Sequence, residues 1–65
     1  MPLVSVRLLD DLLDDATQRA LIGELTDAIV RVLGEELRAH TWVTLDGVPR
    51  ERWGFGGRTA PGRRA

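Results

Sequence analysis

In "MPLVSVRLL" a proline stands directly behind the initiator methionine, and its ring nitrogen has two chemical fates. With Met1 removed, which the small residue at position 2 permits, Pro2 is a free secondary amine able to take up and release a proton. With Met1 retained, the same nitrogen is an amide without usable basicity, and Pro2 only opens a strand. The remaining stock of reactive groups is thin. All 9 basic residues are arginine, so no lysine Schiff base can form. A single serine (Ser5), a single histidine (His40) and no cysteine leave little for a hydrolytic triad and nothing for a disulfide or a zinc-thiolate centre. His40 by itself reads as a structural or loop residue, because a metal site needs several convergent ligands.

The elements that must position these residues follow from periodicity. From Leu3 to Leu9, Val4, Val6 and Leu8 fall on one face of a two-residue repeat, with Ser5 and Arg7 on the other, which predicts a half-buried strand. "DDLLDD" (Asp10 to Asp15) is a connection, and Asp15 followed by Gln18 resembles a capping box at a helix start. Leu21, Leu25, Ala28, Ile29, Val32 and Leu33 then recur at helical spacing, and Gly34 stands where the helix should stop. "TWVTL" (Thr41 to Leu45) reads as a second strand with Trp42 and Thr44 on the face opposite Val43 and Leu45. Turn signals follow at Asp46-Gly47 and Pro49, and "WGFGG" suits a short hairpin. The fold class is α/β: a β-α-β unit with parallel strands, a right-handed crossover and a short C-terminal hairpin.

A chain of 65 residues forms one domain, residues 1–65, with 58–65 expected as a loosely held tail. At this size a lone core supplies only about 3–5 kcal/mol, and two parallel strands with one helix leave a sheet face uncovered. Another subunit is expected to supply the cover. The net charge of −1 argues against nucleic acid as a partner, the adjacent arginines of "GRRA" being a very short patch. No run is apolar enough to cross a membrane and no signal peptide is evident, so the expectation is a cytoplasmic protein without membrane association.

Pro2 behind Met1, a β-α-β unit of this length and "RWGFGG" after the second strand together resemble the 4-oxalocrotonate tautomerase family, the short members of the tautomerase superfamily. The likeness runs from Pro2 to about Gly57: "PLVSVRLL" matches the opening strand, "TQRALIGELTDAIVRVLG" the helix, and "TWVTLDGVPRERWGFGG" the second strand and hairpin, a "TWV…WGFGG" form that looks like a recurrent subgroup. The resemblance implies subunits that pair into a four-stranded sheet, three such dimers making a hexamer. It implies an amino-terminal proline acting as general base on an unsaturated 2-hydroxy or 2-keto acid, an enol–keto conversion that requires no cofactor or metal. Pro2 is the matching position, and Trp53 falls where the family has an aromatic residue walling the pocket. The family's best-known members also carry an arginine after the first strand and another early in the second. The matching positions here hold Leu12 and Trp42, which speaks against a dicarboxylate substrate.

Within that resemblance the chemistry can be stated physically. A free α-amino group titrates at about 7.7–8.0 and proline's is intrinsically more basic, so in water it is mostly protonated at neutral pH. An apolar wall from Trp53, with Trp42 beside it, would desolvate the ammonium and lower its pKa toward the range where a general base works. Arg50 and Arg52, in "PRER" just before Trp53, are candidates to bind the substrate carboxylate bidentately, the plain alternative being two solvated loop arginines. The enolate oxygen needs a donor, which an arginine, a backbone N–H near Leu9 or a water could be. Two alternatives stay open: a cationic Pro2 serving as general acid in hydration or dehalogenation, and a non-catalytic subunit of a mixed hexamer.

Overall fold

The computed structural model describes residues 1–60. Strand β1 (Leu3–Leu9) is followed by a 3-10 turn (Asp10–Leu12), helix α1 (Asp15–Leu33), a second 3-10 segment (Glu35–His40) and strand β2 (Trp42–Val48). A third 3-10 turn (Arg50–Arg52) leads to a hairpin of β3 (Gly54–Phe55) and β4 (Arg58–Thr59). β1 and β2 pair in parallel, in register from Leu3 opposite Trp42 to Leu9 opposite Val48. The chain thus has the expected β-α-β architecture with its short terminal hairpin.

The strand alternation sorts the two sheet faces. Val4, Val6, Leu8, Val43 and Leu45 are half-buried on the helix side, while Leu3, Ser5, Arg7, Trp42, Thr44 and Asp46 stand exposed on the other. The cross-strand pairs of this outer face are graded along its length. Leu3 faces Trp42 at one end, Ser5 and Thr44 share a 3.0 Å hydroxyl hydrogen bond in the middle, and Arg7 Nε donates to Asp46 Oδ2 at 2.8 Å at the other.

Three local expectations are corrected. Asp14, not Asp15, caps α1: its carboxylate accepts the Thr17 N–H at 2.7 Å and its carbonyl accepts the Gln18 N–H at 2.9 Å. The apolar stripe of the helix runs through Leu21, Leu25, Ala28 and Ile29 to the buried Val30, but leaves Val32 83% exposed. At 3.6 residues per turn, Val32 lies about 200° around the helix from Val30. Leu33, also assigned to that stripe, is 52% exposed at the last turn. Finally, β2 continues through Asp46-Gly47 to Val48 instead of turning there, because Arg7 and Leu8 of β1 hold those two residues in the ladder. Gly47 also admits the connection after β1: a Cβ there would lie 3.0 Å from Asp10 Cβ and 3.2 Å from Asp10 Cα.

The hairpin turns on Gly56 and Gly57, with φ of 54° and 87°, the positive values that a tight two-residue turn demands at both positions. Thr59 pairs with Gly54, and the Ala60 N–H closes the ring on the Trp53 carbonyl at 2.7 Å. Residues 58–60 of the expected tail therefore belong to the hairpin, with Ala60 buried; residues 61–65, including the "GRRA" arginines, lie outside the described residues.

A single subunit is poorly closed. It exposes 5082 Å², where a compact monomer of its mass would expose about 4,100 Å². Its radius of gyration is 14.8 Å, against about 11 Å for a compact chain of this length. Among the described residues only Val30 and Ala60 are buried apolar side chains.

The hydrogen bonds from Thr17, its backbone amide foremost, hold the Asp14 carboxyl below the usual carboxylate range. A carboxyl whose folded pKa is depressed stabilises fully above its unfolded value of about 3.9 and loses that contribution as pH falls through the folded pKa. Asp14→Ala should therefore lower the thermal midpoint at pH 7, with Asp14→Asn retaining most of it. The gap between wild type and the alanine variant should shrink in acid, as read by circular dichroism melts across pH.

Candidate functional site

The residues singled out by sequence fall into two groups at opposite ends of the sheet. Pro2 opens β1, half-buried, and its carbonyl accepts the Trp42 N–H at 2.9 Å. That bond fixes the backbone of Trp42 beside Pro2, and the indole stands 58% exposed on the outer face next to Leu3, itself 60% exposed. Met1, ahead of Pro2, is 78% exposed.

At the other end, where β1 and β2 finish, Trp53 and Arg52 line an open cleft together with Arg7, Val48 and Gly54, enclosing about 400 Å³. Leu9 is the last residue of β1, half-buried and paired with Val48 of the cleft wall. The cleft thus combines an indole wall, an aliphatic side chain and two guanidinium groups. Its form suits an apolar acid: rings and chains pack on the indole while a carboxylate meets arginine.

The three arginines near Trp53 are held differently. Arg50 turns inward, its Nε donating to Asp11 Oδ2 at 2.7 Å, with side chains only 25% and 9% exposed. It therefore braces the Arg50–Arg52 turn against the connection after β1 instead of facing the cleft. Arg7 is bound to Asp46, but both side chains are solvated, at 72% and 57% exposure. Exposed pairs of this kind contribute about 0–1 kcal/mol, so Arg7 can exchange Asp46 for another carboxylate at small cost. Arg52 is exposed on the cleft rim.

Sequence reasoning missed Arg7, Val48 and Gly54. The signal for Arg7 lay in the strand alternation, which put it on the outer face, but its nearness to Trp53 depends on β2 extending to Val48. His40 is exposed at the end of its 3-10 segment, and among the described residues no group of three or more His, Cys, Asp or Glu could hold a metal ion. Among the described residues no helix is long and apolar enough to cross a membrane.

The two groups do not meet within one subunit. Arg7 lies five residue steps along the strand from Pro2, about 17 Å at a rise of about 3.3 Å per residue. A nitrogen at one end of β1 and the cleft at the other cannot act on one small molecule in the same chain.

Comparison with known proteins bears on the whole described chain. A family model described as "Tautomerase enzyme" matches residues 2–60. A protein named "Probable tautomerase K2", from Dickeya dadantii (strain 3937), is 34% identical over 64 residues, which cover 98% of this chain and 94% of the relative.

The inward pair of Asp11 and Arg50 carries a stability expectation. Asp11→Ala removes the carboxylate that Arg50 Nε meets at 2.7 Å and should lower the unfolding free energy by about 1–3 kcal/mol. Replacing both partners with apolar residues, as in Asp11→Leu with Arg50→Met, should recover most of the loss, measured by denaturant titration.

Proposed function

Because the chain belongs to the tautomerase family, we propose that it interconverts enol and keto forms of an unsaturated 2-hydroxy or 2-keto acid, with Pro2 as general base after removal of Met1. The observation that carries this reading is the division of the site. Pro2 stands at the start of the sheet, and the arginine and indole cleft stands at its end.

Two copies join those halves. β1 and β2 each present an open edge of backbone donors and acceptors, which a second copy can extend. A two-fold contact along β1 runs the two strands antiparallel, setting the Pro2 end of one copy beside the Leu9 end of the other. Pro2 then faces the other copy's Arg7, Arg52 and Trp53, twice in each dimer. The bare outer face and the large exposed surface support further association, and we take the assembly to be a hexamer of three such dimers.

In the proposed reaction the neutral Pro2 nitrogen removes the enol O–H proton, and the freed electron pair forms the carbonyl. The carbon–carbon π pair then takes a proton at C3, or at the far carbon of a conjugated diene, from the resulting secondary ammonium. Atoms and charge balance with no other reactant. Arg52 holds the substrate carboxylate, with Arg7 released from Asp46 as a second donor. A backbone N–H near Leu9 or the same guanidinium groups meet the charge developing on oxygen. Trp53 excludes water from the amine, disfavouring its charged form. Arg50 acts through position, since its bond to Asp11 fixes the turn that carries Arg52 and Trp53.

With protein whose intact mass lacks methionine, Pro2→Ala should slow ketonisation of phenylenolpyruvate by roughly 10²–10⁴-fold. An unchanged rate would remove Pro2 from the chemistry. For a base, kcat/KM should rise with pH through the Pro2 pKa; a fall over the same range would indicate a cationic acid instead. Sedimentation should give a hexamer of 7.2 kDa chains, and a monomer that remains fully active would overturn the shared site.

A further inference from the structure

A second concavity, of about 270 Å³, adjoins the first and is lined entirely by one subunit. Arg52, Trp53 and Gly54 belong to both walls, so one short strip of chain serves two clefts. The hairpin supplies Gly57, Arg58 and Thr59 to the second, and Glu51 also lines it. We infer that this hairpin cleft binds a small oxyanion, a carboxylate or a phosphate group, between Arg52 and Arg58, and that the bound anion competes with substrate through Arg52. The competition rests on the reading of Arg52 as the holder of the substrate carboxylate; the binding itself does not.

The ion pairs among the described residues engage Arg7, Arg38 and Arg50; Arg52 and Arg58 take part in none of them. Both are exposed, and both line the hairpin cleft. Two guanidinium groups against the single carboxylate of Glu51 leave that hollow with a net positive charge. A guanidinium is a planar fork of donors that matches the oxygens of a carboxylate or phosphate, and it remains charged at every working pH. The Thr59 hydroxyl adds a donor, and the Trp53 indole offers an apolar surface to any organic part of the ligand. The hairpin ladder fixes the frame: Phe55 pairs with Arg58, Gly54 with Thr59, and the Ala60 N–H meets the Trp53 carbonyl at 2.7 Å. Arg58 is thereby held in register with the strip that carries Arg52 and Trp53. One guanidinium cannot give the same donors to anions in both clefts, so an occupied hairpin cleft weakens substrate binding and leaves the Pro2 amine as it was.

The test titrates full-length protein calorimetrically with inorganic phosphate and, separately, with acetate, at constant ionic strength so that screening does not change. At least one of the two should bind, and Arg58→Ala should weaken it by about tenfold, the loss of one charge-assisted hydrogen bond. Arg7→Ala, which alters only the substrate cleft, should leave that affinity within about twofold. If Arg58→Ala disturbs the hairpin, Arg58→Lys serves: it keeps the charge without the fork and should weaken binding by less. Which probe binds more tightly assigns the site to phosphate or to carboxylate. In the phenylenolpyruvate assay the same anion should raise KM without lowering kcat, and Arg58→Ala should relieve that inhibition. No binding of either probe, equal binding by Arg58→Ala, or a loss as large in Arg7→Ala overturns the site, since the anion would then lie elsewhere or in the substrate cleft. Binding at Arg58 without any rise in KM overturns the competition. Absence of turnover, or equal turnover by Pro2→Ala, is the distinct failure of the base reading and leaves the calorimetric result to decide the site.

Discussion

A parallel pair of strands with one helix has an inside and no second cover, and this constraint shapes everything else in the subunit. α1 shields Val4, Val6, Leu8, Val43 and Leu45, yet the same alternation leaves Leu3 and Trp42 in water on the reverse face. Parallel sheets ordinarily lie buried on both sides. The chain also lacks cysteine, so no disulfide compensates for the thin core. The polar pairs of the reverse face, Ser5 with Thr44 and Arg7 with Asp46, satisfy one another and make part of that bare face compatible with water. A monomer so built leaves one sheet face bare, and the division of the proposed centre between its two ends is in keeping with that.

Two arginine–aspartate pairs with almost the same geometry have opposite uses. Arg50 and Asp11 meet at 2.7 Å where little water reaches, so parting them is costly and the pair works as a brace. Arg7 and Asp46 meet at 2.8 Å in solvent, so the contact is weak and exchangeable. Burial, not distance, separates a group that holds the scaffold from one free to greet an anion. Arg38 adds a third arrangement, joining Asp27 of α1 at 2.9 Å and Glu35 of the following segment at 2.6 Å. Its guanidinium lowers the Glu35 pKa through their hydrogen bond and secures the path from helix to second strand.

Much of this was legible in the residues themselves. The limits of β1, the opposed faces of Trp42 and Val43, the helix ending at Gly34 and the hairpin at "WGFGG" all follow from local pattern, because one strong signal governed each. Where two signals competed, the sequence misled. Asp14 and Asp15 are both plausible caps, and only the approach of the Thr17 amide chooses between them. Asp46-Gly47 reads as a turn, but pairing with Arg7 and Leu8 overrides that propensity. The inward path of Arg50 could not be read at all, since its partner Asp11 lies 39 positions away and "PRER" offers two arginines with equal claim. Nor does a linear pattern state that Pro2 and Trp53 sit at opposite ends of a parallel pair; that emerges only once the strand direction is known.

The placement of the aromatic residues gives the molecule a spectroscopic property of its own. There are two tryptophans and no tyrosine, and the indoles stand one at each end of the sheet, Trp42 in solvent and Trp53 half-buried against the arginine cleft. Near-ultraviolet emission from this protein is therefore a sum of two sources in different surroundings, with no phenol background. The solvated indole emits to the red and is open to quenchers in solution, while the sheltered one reports on the cleft. Each end of the sheet carries its own intrinsic fluorophore, so changes at the Pro2 end and at the cleft can be followed separately in unlabelled protein.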